Sequence, residues 1–213
     1  EDEDEDDTGG INVFGYVLIM TAVMALLFVA TRSMSDIFEE QNSGMLKRQM
    51  ATPMTIGTIV SAKTVFGVGF GVVVLAILGV IGLILQWIEP PIDLLAAFIL
   101  GVSFSLAACG FMALVLSVSK NEKQAGIWSW LIIMGMSAIG GSMFPVENMP
   151  EAMQAAAKYT INLQAIDGFT ELVFNGGGLA DISTNIMKLL AVGVVTTASA
   201  HVLLTRRFRE VSS

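Results

Sequence analysis

Apolar positions in this chain come in long runs rather than in alternations. Residues 11–31, 64–86, 94–117, 125–143 and 183–204 are dominated by Ala, Val, Ile, Leu, Met, Phe and Gly, and the first four runs hold no Asp, Glu, Lys or Arg. The fifth holds only Lys188, near one end, where its long stem can reach the membrane boundary. The hydrocarbon core of a bilayer is about 30 Å thick, which a helix of roughly 20 apolar residues crosses. A helix that is apolar all round has no face to give to water. The pattern predicts an all-α polytopic membrane bundle of five transmembrane helices.

Composition supports this. Hydrophobic residues make up 54% of the chain and charged residues 14%, with a mean hydropathy of +0.72, where a soluble domain carries about 25% charged residues. The net charge of −8 rests largely on Glu1–Asp7, which supply seven of the 19 acids. Blocks of like charge repel and stay solvated. Residues 1–10 are therefore expected to form a disordered acidic head, and residues 11–213 one transmembrane domain. The head has neither the basic start nor the cleavage pattern of a signal peptide. Without a starting Met, the chain reads as a piece of a longer protein.

The single Cys109 excludes a disulfide framework, and the single His201 excludes bis-histidine haem ligation and a Cys/His zinc cluster. Cys109 is expected to be a small packing residue and His201 an interfacial polar one. No metal, cofactor or nucleic-acid partner is implied. No catalytic residue is assigned either, since His201 has no G-x-S-x-G serine to activate.

Lys and Arg in short loops set membrane orientation. With the head outside, the inner loops hold Arg32, Lys47, Arg48, Lys63, Lys120, Lys123, Arg206, Arg207 and Arg209, leaving only Lys158 and Lys188 outside. The head is thus expected to be extracytoplasmic and the C-terminus cytoplasmic, in a multi-pass cell-membrane protein. Tyr16 and Trp87 fall near outer span ends, as belt aromatics do.

Residues 57–64, GTIVSAKT, come one residue short of the phosphate-binding pattern G-x-x-x-x-G-K-[ST], with Ala62 in place of the second Gly. They also lead into a membrane span rather than out of a strand, so Lys63 is read as a boundary residue. Gly67 and Gly71 form a G-x-x-x-G pair, read as helix packing within the chain, with a dimer seam as the alternative. Ion-coupled transporters mark their paths with buried ionisable groups. These spans offer no such relay, so any driving energy should enter from elsewhere.

Two connections are longer than a chain reversal needs. The inner one, residues 32–63, sets Ile37, Phe38, Met45, Leu46 and Met50 between Glu39-Glu40 and Lys47-Arg48, which suits a cytoplasmic amphipathic helix broken near Ser43-Gly44 and stopped before Pro53. The outer one, residues 144–182, suits two short helices over 151–159 and 164–175. Met149-Pro150-Glu151 reads as a helix start, and Gly176-Gly177-Gly178 as a release. Neither helix is long enough to span. Phe169, Leu172, Val173 and Phe174 are nevertheless too apolar for water, so an outer re-entrant hairpin is expected.

Two stretches also resemble a known family. FEEQNSGMLKRQMATPMTIGTIVSAK (38–63) resembles the cytoplasmic segment of type-2 ATP-binding-cassette (ABC) transporter permeases, with its acidic pair, basic residue, "TP" turn and Lys before the next span. Residues 124–177 resemble that family's signature, running from Gln124-Ala125 through a small-residue end and Phe144-Pro145 to Met149-Pro150 and the closing glycines. The resemblance implies the permease subunit of an exporter, dimeric with a second copy or paralogue, with ATP bound and hydrolysed on a partner ATPase. By position it assigns Glu39, Glu40, Gly44, Leu46, Lys47, Arg48 and Pro53 to the ATPase contact. It assigns Pro145, Met149, Pro150, Asp167 and Gly168 to the outer re-entrant segment. Two departures stand out: the family's first span has no counterpart here, and Asn162-Leu163 replaces its Asn-Pro. A membrane scaffold that moves nothing is the alternative reading.

Overall fold

The structure is a computed structural model that describes residues 13–43, 45, 56–88, 92–119 and 121–211. The acidic head lies outside the described residues, as do Gly44, Leu46, Lys47, Arg48 and Pro53. Among the described residues seven α-helices are delimited, in order: α1 Val13–Asn42, α2 Ile56–Ile84, α3 Leu94–Val118, α4 Glu122–Ile139, α5 Glu151–Ala157, α6 Ile161–Phe174 and α7 Ser183–Val211. A 3-10 turn, Val146–Asn148, precedes α5. No strand occurs among the described residues.

Four helices, α1, α2, α3 and α7, are long and apolar enough to cross a membrane. The fourth apolar run became α4, an 18-residue helix whose first turn carries Glu122, Lys123 and Gln124. At 1.5 Å per residue it measures about 27 Å, and its charged first turn shortens the apolar part below the bilayer core.

The helices start where side chains can take the orphan N–H groups of a first turn. Asp93 accepts from the Leu95 and Ala96 N–H groups at 3.1 and 3.0 Å, and Asn121 from that of Gln124 at 2.8 Å. Several hydroxyls inside the spans bond back to their own helix, as Thr64 does to the Val60 carbonyl and Ser103 to that of Ile99. This satisfies them where no water is available.

The central helix is α3, which packs on α1, α2, α4, α6 and α7, most extensively on α7. Its Leu100, Phe104, Ala107, Ala108 and Met112 are fully buried, and they form one core with Val23, Leu26 and Leu27 of α1 and Leu189 of α7. Small residues set the crossings. A Cβ on Gly110 would lie 2.5 Å from both Thr196 Oγ1 and Thr197 Oγ1 and 2.9 Å from the Gly193 carbonyl, while one on Gly193 would lie 3.0 Å from the Ala107 nitrogen. Gly67 sits against Cys109 and Ser33, and Gly71 against Ser105 and Leu26. The G-x-x-x-G pair thus packs within the chain, and Cys109 is the packing residue expected of it.

The expected inner amphipathic helix is redrawn in part. Ile37 and Phe38 belong to α1, which runs unbroken to Asn42, and they are buried with Ile59, Val60, Leu116, Ala125 and Leu204. They are a second core of the bundle, not the underside of a separate surface helix. α1 ends at Asn42 and Ser43 is a turn, so the break falls where it was expected; the helix before it is the end of α1, buried against four neighbouring helices.

Candidate functional site

The bundle has two ends of different character. One holds Asn42, Ile56, Val118, Glu122 and Val211, and with them Lys63, Lys123, Arg206, Arg207 and Arg209. At 30 residues α1 is about 45 Å long, well beyond the hydrocarbon thickness. Its last turn, past the apolar run, carries Glu39 and Glu40. Glu39 is exposed. Glu40 is held by Lys63 of α2, whose ammonium donates to Oε1 at 3.0 Å. Both side chains are largely buried, at 22% and 15% exposure, and the other Glu40 oxygen has no hydrogen-bond partner among the described residues. Two turns of α1 earlier, Ser33 donates to the Lys63 carbonyl at 2.8 Å, pinning the two helices together beside the pair.

Residues 57–64 are continuous α-helix in the start of α2. From Val60 onward these N–H groups lie in a helix whose i−4 carbonyls take them, so the stretch is not the open loop that wraps a phosphate. A Cβ on Gly57 would overlap the His201 imidazole. His201 is thus an exposed residue packed where α7 crosses the start of α2.

The other end holds the hairpin. After α4, Gly140 caps the helix and Gly141 adopts φ +85°, a left-handed conformation that glycine takes without strain. A Cβ on Gly140 would come within 2.7 Å of Asn162 Cβ and Thr160 Oγ1, so the chain folds back tightly on the hairpin. Pro145 opens the 3-10 turn, and Pro150 caps α5, accepting from the Met153 and Gln154 N–H groups. Met149 is buried, and its carbonyl accepts from Gln154 Nε2 at 2.8 Å. The break between the two short helices falls at Lys158–Thr160, with Thr160 accepting from the Leu163 N–H at 3.2 Å. Asn162 comes after the break, fully buried and donating to Ser142 Oγ at 2.9 Å.

The longer helix of the pair, α6, packs into the bundle against α1, α3 and α7 through Ala165, Ile166 and Leu172. Gly168 permits this approach, since a Cβ there would meet Leu100 of α3 at 2.8 Å. The two flanks of α6 differ. Phe169 and Val173 join Leu18, Val72, Leu75 and Phe98 around an apolar groove of about 350 Å³ between α1, α2 and α3. Asp167 and Glu171 face a polar cavity of about 410 Å³ with Lys158, Gln164, Asp181, Asn185 and Lys188. Gln164 is the keystone: Lys188 Nζ donates to its Oε1 at 3.1 Å, Asn185 Nδ2 to its carbonyl at 2.9 Å, and its own Nε2 donates to the Lys158 carbonyl at 2.9 Å. Loss of hydration against the cavity wall, and next the charge of Glu147, push the Asp167 carboxyl up to about 6 while Lys188 pulls it down. Among the described residues, no three His, Cys, Asp or Glu gather closely enough to hold a metal ion.

Comparison with known proteins decides the family. The model for the ABC-2 family transporter protein matches residues 3–200. The chain belongs to that family. Among its relatives is the inner membrane transport permease YhhJ of Escherichia coli K12, 22% identical over 84% of this chain and 48% of the relative. The linearmycin resistance permease protein LnrN of Bacillus subtilis 168 is 25% identical over 84% of this chain and 47% of LnrN. The probable multidrug ABC transporter permease YbhR of Escherichia coli K12 is 24% identical over 90% and 51%. The chain thus spans about half the length of the curated relatives it matches.

In this ABC-2 chain, of the residues assigned to ATPase contact, the structure places Glu39 and Glu40, together at the tip of α1. All five hairpin residues are placed, but they do different things: Pro145, Met149 and Pro150 shape the entry, Gly168 is a packing contact, and Asp167 lines the polar cavity. Sequence reasoning missed Lys63 as the partner of Glu40, 23 residues away. It also missed Gln164, Asn185 and Lys188 as a bonded set. The one available signal was Lys188, the sole charge in its apolar run.

Proposed function

We propose that this chain is the membrane part of an ABC transporter permease that exports cargo with ATP hydrolysed by a partner ATPase, working as a dimer with a second permease copy or paralogue. Catalysis belongs to the partner. The observation that carries the reading is the form of the α1 tip: a helix longer than the bilayer core needs, with an acidic pair in its last turn that Lys63 clamps to α2 through Glu40. A partner's push on that tip would pass into two spans at once. The relatives named for drug and antibiotic resistance support export as the direction.

In this reading α4, extended by the turn to Met143, is a fifth span, the acidic head lies outside and the C-terminus inside. The hairpin dips partway into the outer leaflet, where Phe169 and Val173 line an exit beside the apolar groove. Topology is checked with single cysteines in a Cys109→Ser background. Those at Thr8 and Asn148 label with an impermeant thiol reagent in intact cells, and those at Ser43 and Asn121 stay shielded. Labelling of Ser43 from outside reverses the orientation. The permease reading itself is tested by affinity purification from the native membrane. An ABC ATPase co-purifies, and the complex loses ATP hydrolysis when the ATPase Walker lysine is replaced. Purification with no ATPase bound supports a scaffold instead.

A further inference from the structure

The polar cavity between α6 and α7 lies at the hairpin end of the bundle. The apolar stretch of α7 begins at Ser183, and Lys188 lies five residues further, about 7.5 Å along the axis. Lys188 therefore stands in the second turn of that stretch, close to one end of the span.

The walls are of two signs. Lys158 and Lys188 supply ammonium groups, and Asp167, Glu171 and Asp181 supply carboxylates, with Gln164 fixing the spacing by bonding both lysine-bearing segments. Glu171 and Asp181 are themselves oriented, the first accepting from Asn175 Nδ2 and the second from the Gly178 N–H at 2.8 Å. A purely acidic or basic ligand would be repelled by one wall. A group with a phosphate at one end and an ammonium at the other satisfies both, through charge-assisted hydrogen bonds. The mouth also opens toward lipid. Lys188, Ala191 and Val195 lie one below another on α7, and all three are exposed along an outward face that also carries Leu190 and Val194. Acyl chains hanging from a head in the cavity would run down that face.

We propose that the α6–α7 cavity is a binding site for a zwitterionic phospholipid of the surrounding bilayer, its phosphate on Lys158 and Lys188 and its amine on Asp167, Glu171 and Asp181. The site does not depend on transport or on an ATPase, so its failure and that of the permease reading are separable.

Native mass spectrometry of the detergent-purified protein tests it, with phosphatidylethanolamine, phosphatidylglycerol and soluble glycerophosphoethanolamine as probes. The expected result is one phosphatidylethanolamine retained about tenfold better than phosphatidylglycerol. Lys188→Gln loses that lipid, and Asp167→Asn with Glu171→Gln equalises the two. Lys158→Gln, at an exposed position outside the core, weakens retention with the fold unaltered and serves if Lys188→Gln does not fold. Equal retention of both lipids, unchanged by every variant, overturns the site. Displacement by the soluble compound at matching concentration overturns the bilayer as the source.

Discussion

Gly110→Val should leave no stable bundle. Its Cβ would press on Thr196, Thr197 and the backbone carbonyl of Gly193, at the most extensive helix interface in the molecule. Backbone cannot rotate away as a side chain can. Overpacking of this kind costs about 1–3 kcal/mol where side chains give way, and more is expected here because α7 must move as a whole. Gly193→Ala should be destabilising for the same reason, its Cβ meeting the Ala107 backbone. Gly69→Ala and Gly79→Ala make the contrast, since a Cβ at either meets nothing within 4 Å. These should be neutral, or stabilising by up to about 1 kcal/mol through helix propensity. Detergent-solubilised melting temperatures and elution profiles separate the two classes. Equal behaviour of Gly110→Val and Gly69→Ala would contradict the α3–α7 crossing.

Charge reversal at the α1 tip should disconnect the permease from its energy source. On the proposed docking of this acidic pair against a partner ATPase, Glu39→Lys with Glu40→Lys replaces attraction by repulsion, and like-charge juxtaposition costs several kcal/mol. ATPase association should fall by at least about tenfold. The two positions are not equivalent. Glu39 is exposed, so Glu39→Lys should weaken association with no loss of stability. Glu40→Lys would also set two ammonium groups together where Glu40 now holds Lys63 at 3.0 Å, and breaking a buried pair costs about 3–5 kcal/mol. Glu39→Lys that binds ATPase and transports like wild type would remove the α1 tip from the coupling interface.

The spans were legible because lipid imposes one requirement on every residue of a crossing helix, and charge-free runs meet it visibly. The short helix after α3 was less so. Glu122 and Lys123 lie in its first turn, where Asn121 caps them into helix although they do not belong to an apolar run. The hairpin helices were placed within a few residues, missing only that Thr160 could cap α6 and so start it at Ile161 instead of Gln164. What stayed hidden was pairwise. Nothing near Glu40 in the sequence names Lys63, and nothing near Gly110 names Gly193, because such partners meet only when long helices dock. Gly67 and Gly71 stood out as a spaced pair, whereas the tightest crossing joins single glycines from two distant helices. The polar cavity is of the same kind: Lys158, Gln164 and Lys188 are spread over 31 residues and become one site only through hydrogen bonds.

The central claim is that this chain carries cargo across a membrane on energy supplied by another subunit. ATP-dependent uptake into inverted membrane vesicles, measured over a cargo panel with the cognate ATPase, addresses it directly. The account predicts accumulation of at least one cargo that requires ATP, stops with a Walker lysine replacement in the ATPase, and falls with Glu39→Lys in this chain. Uptake indifferent to ATP and to both replacements, with the complex intact, would contradict it.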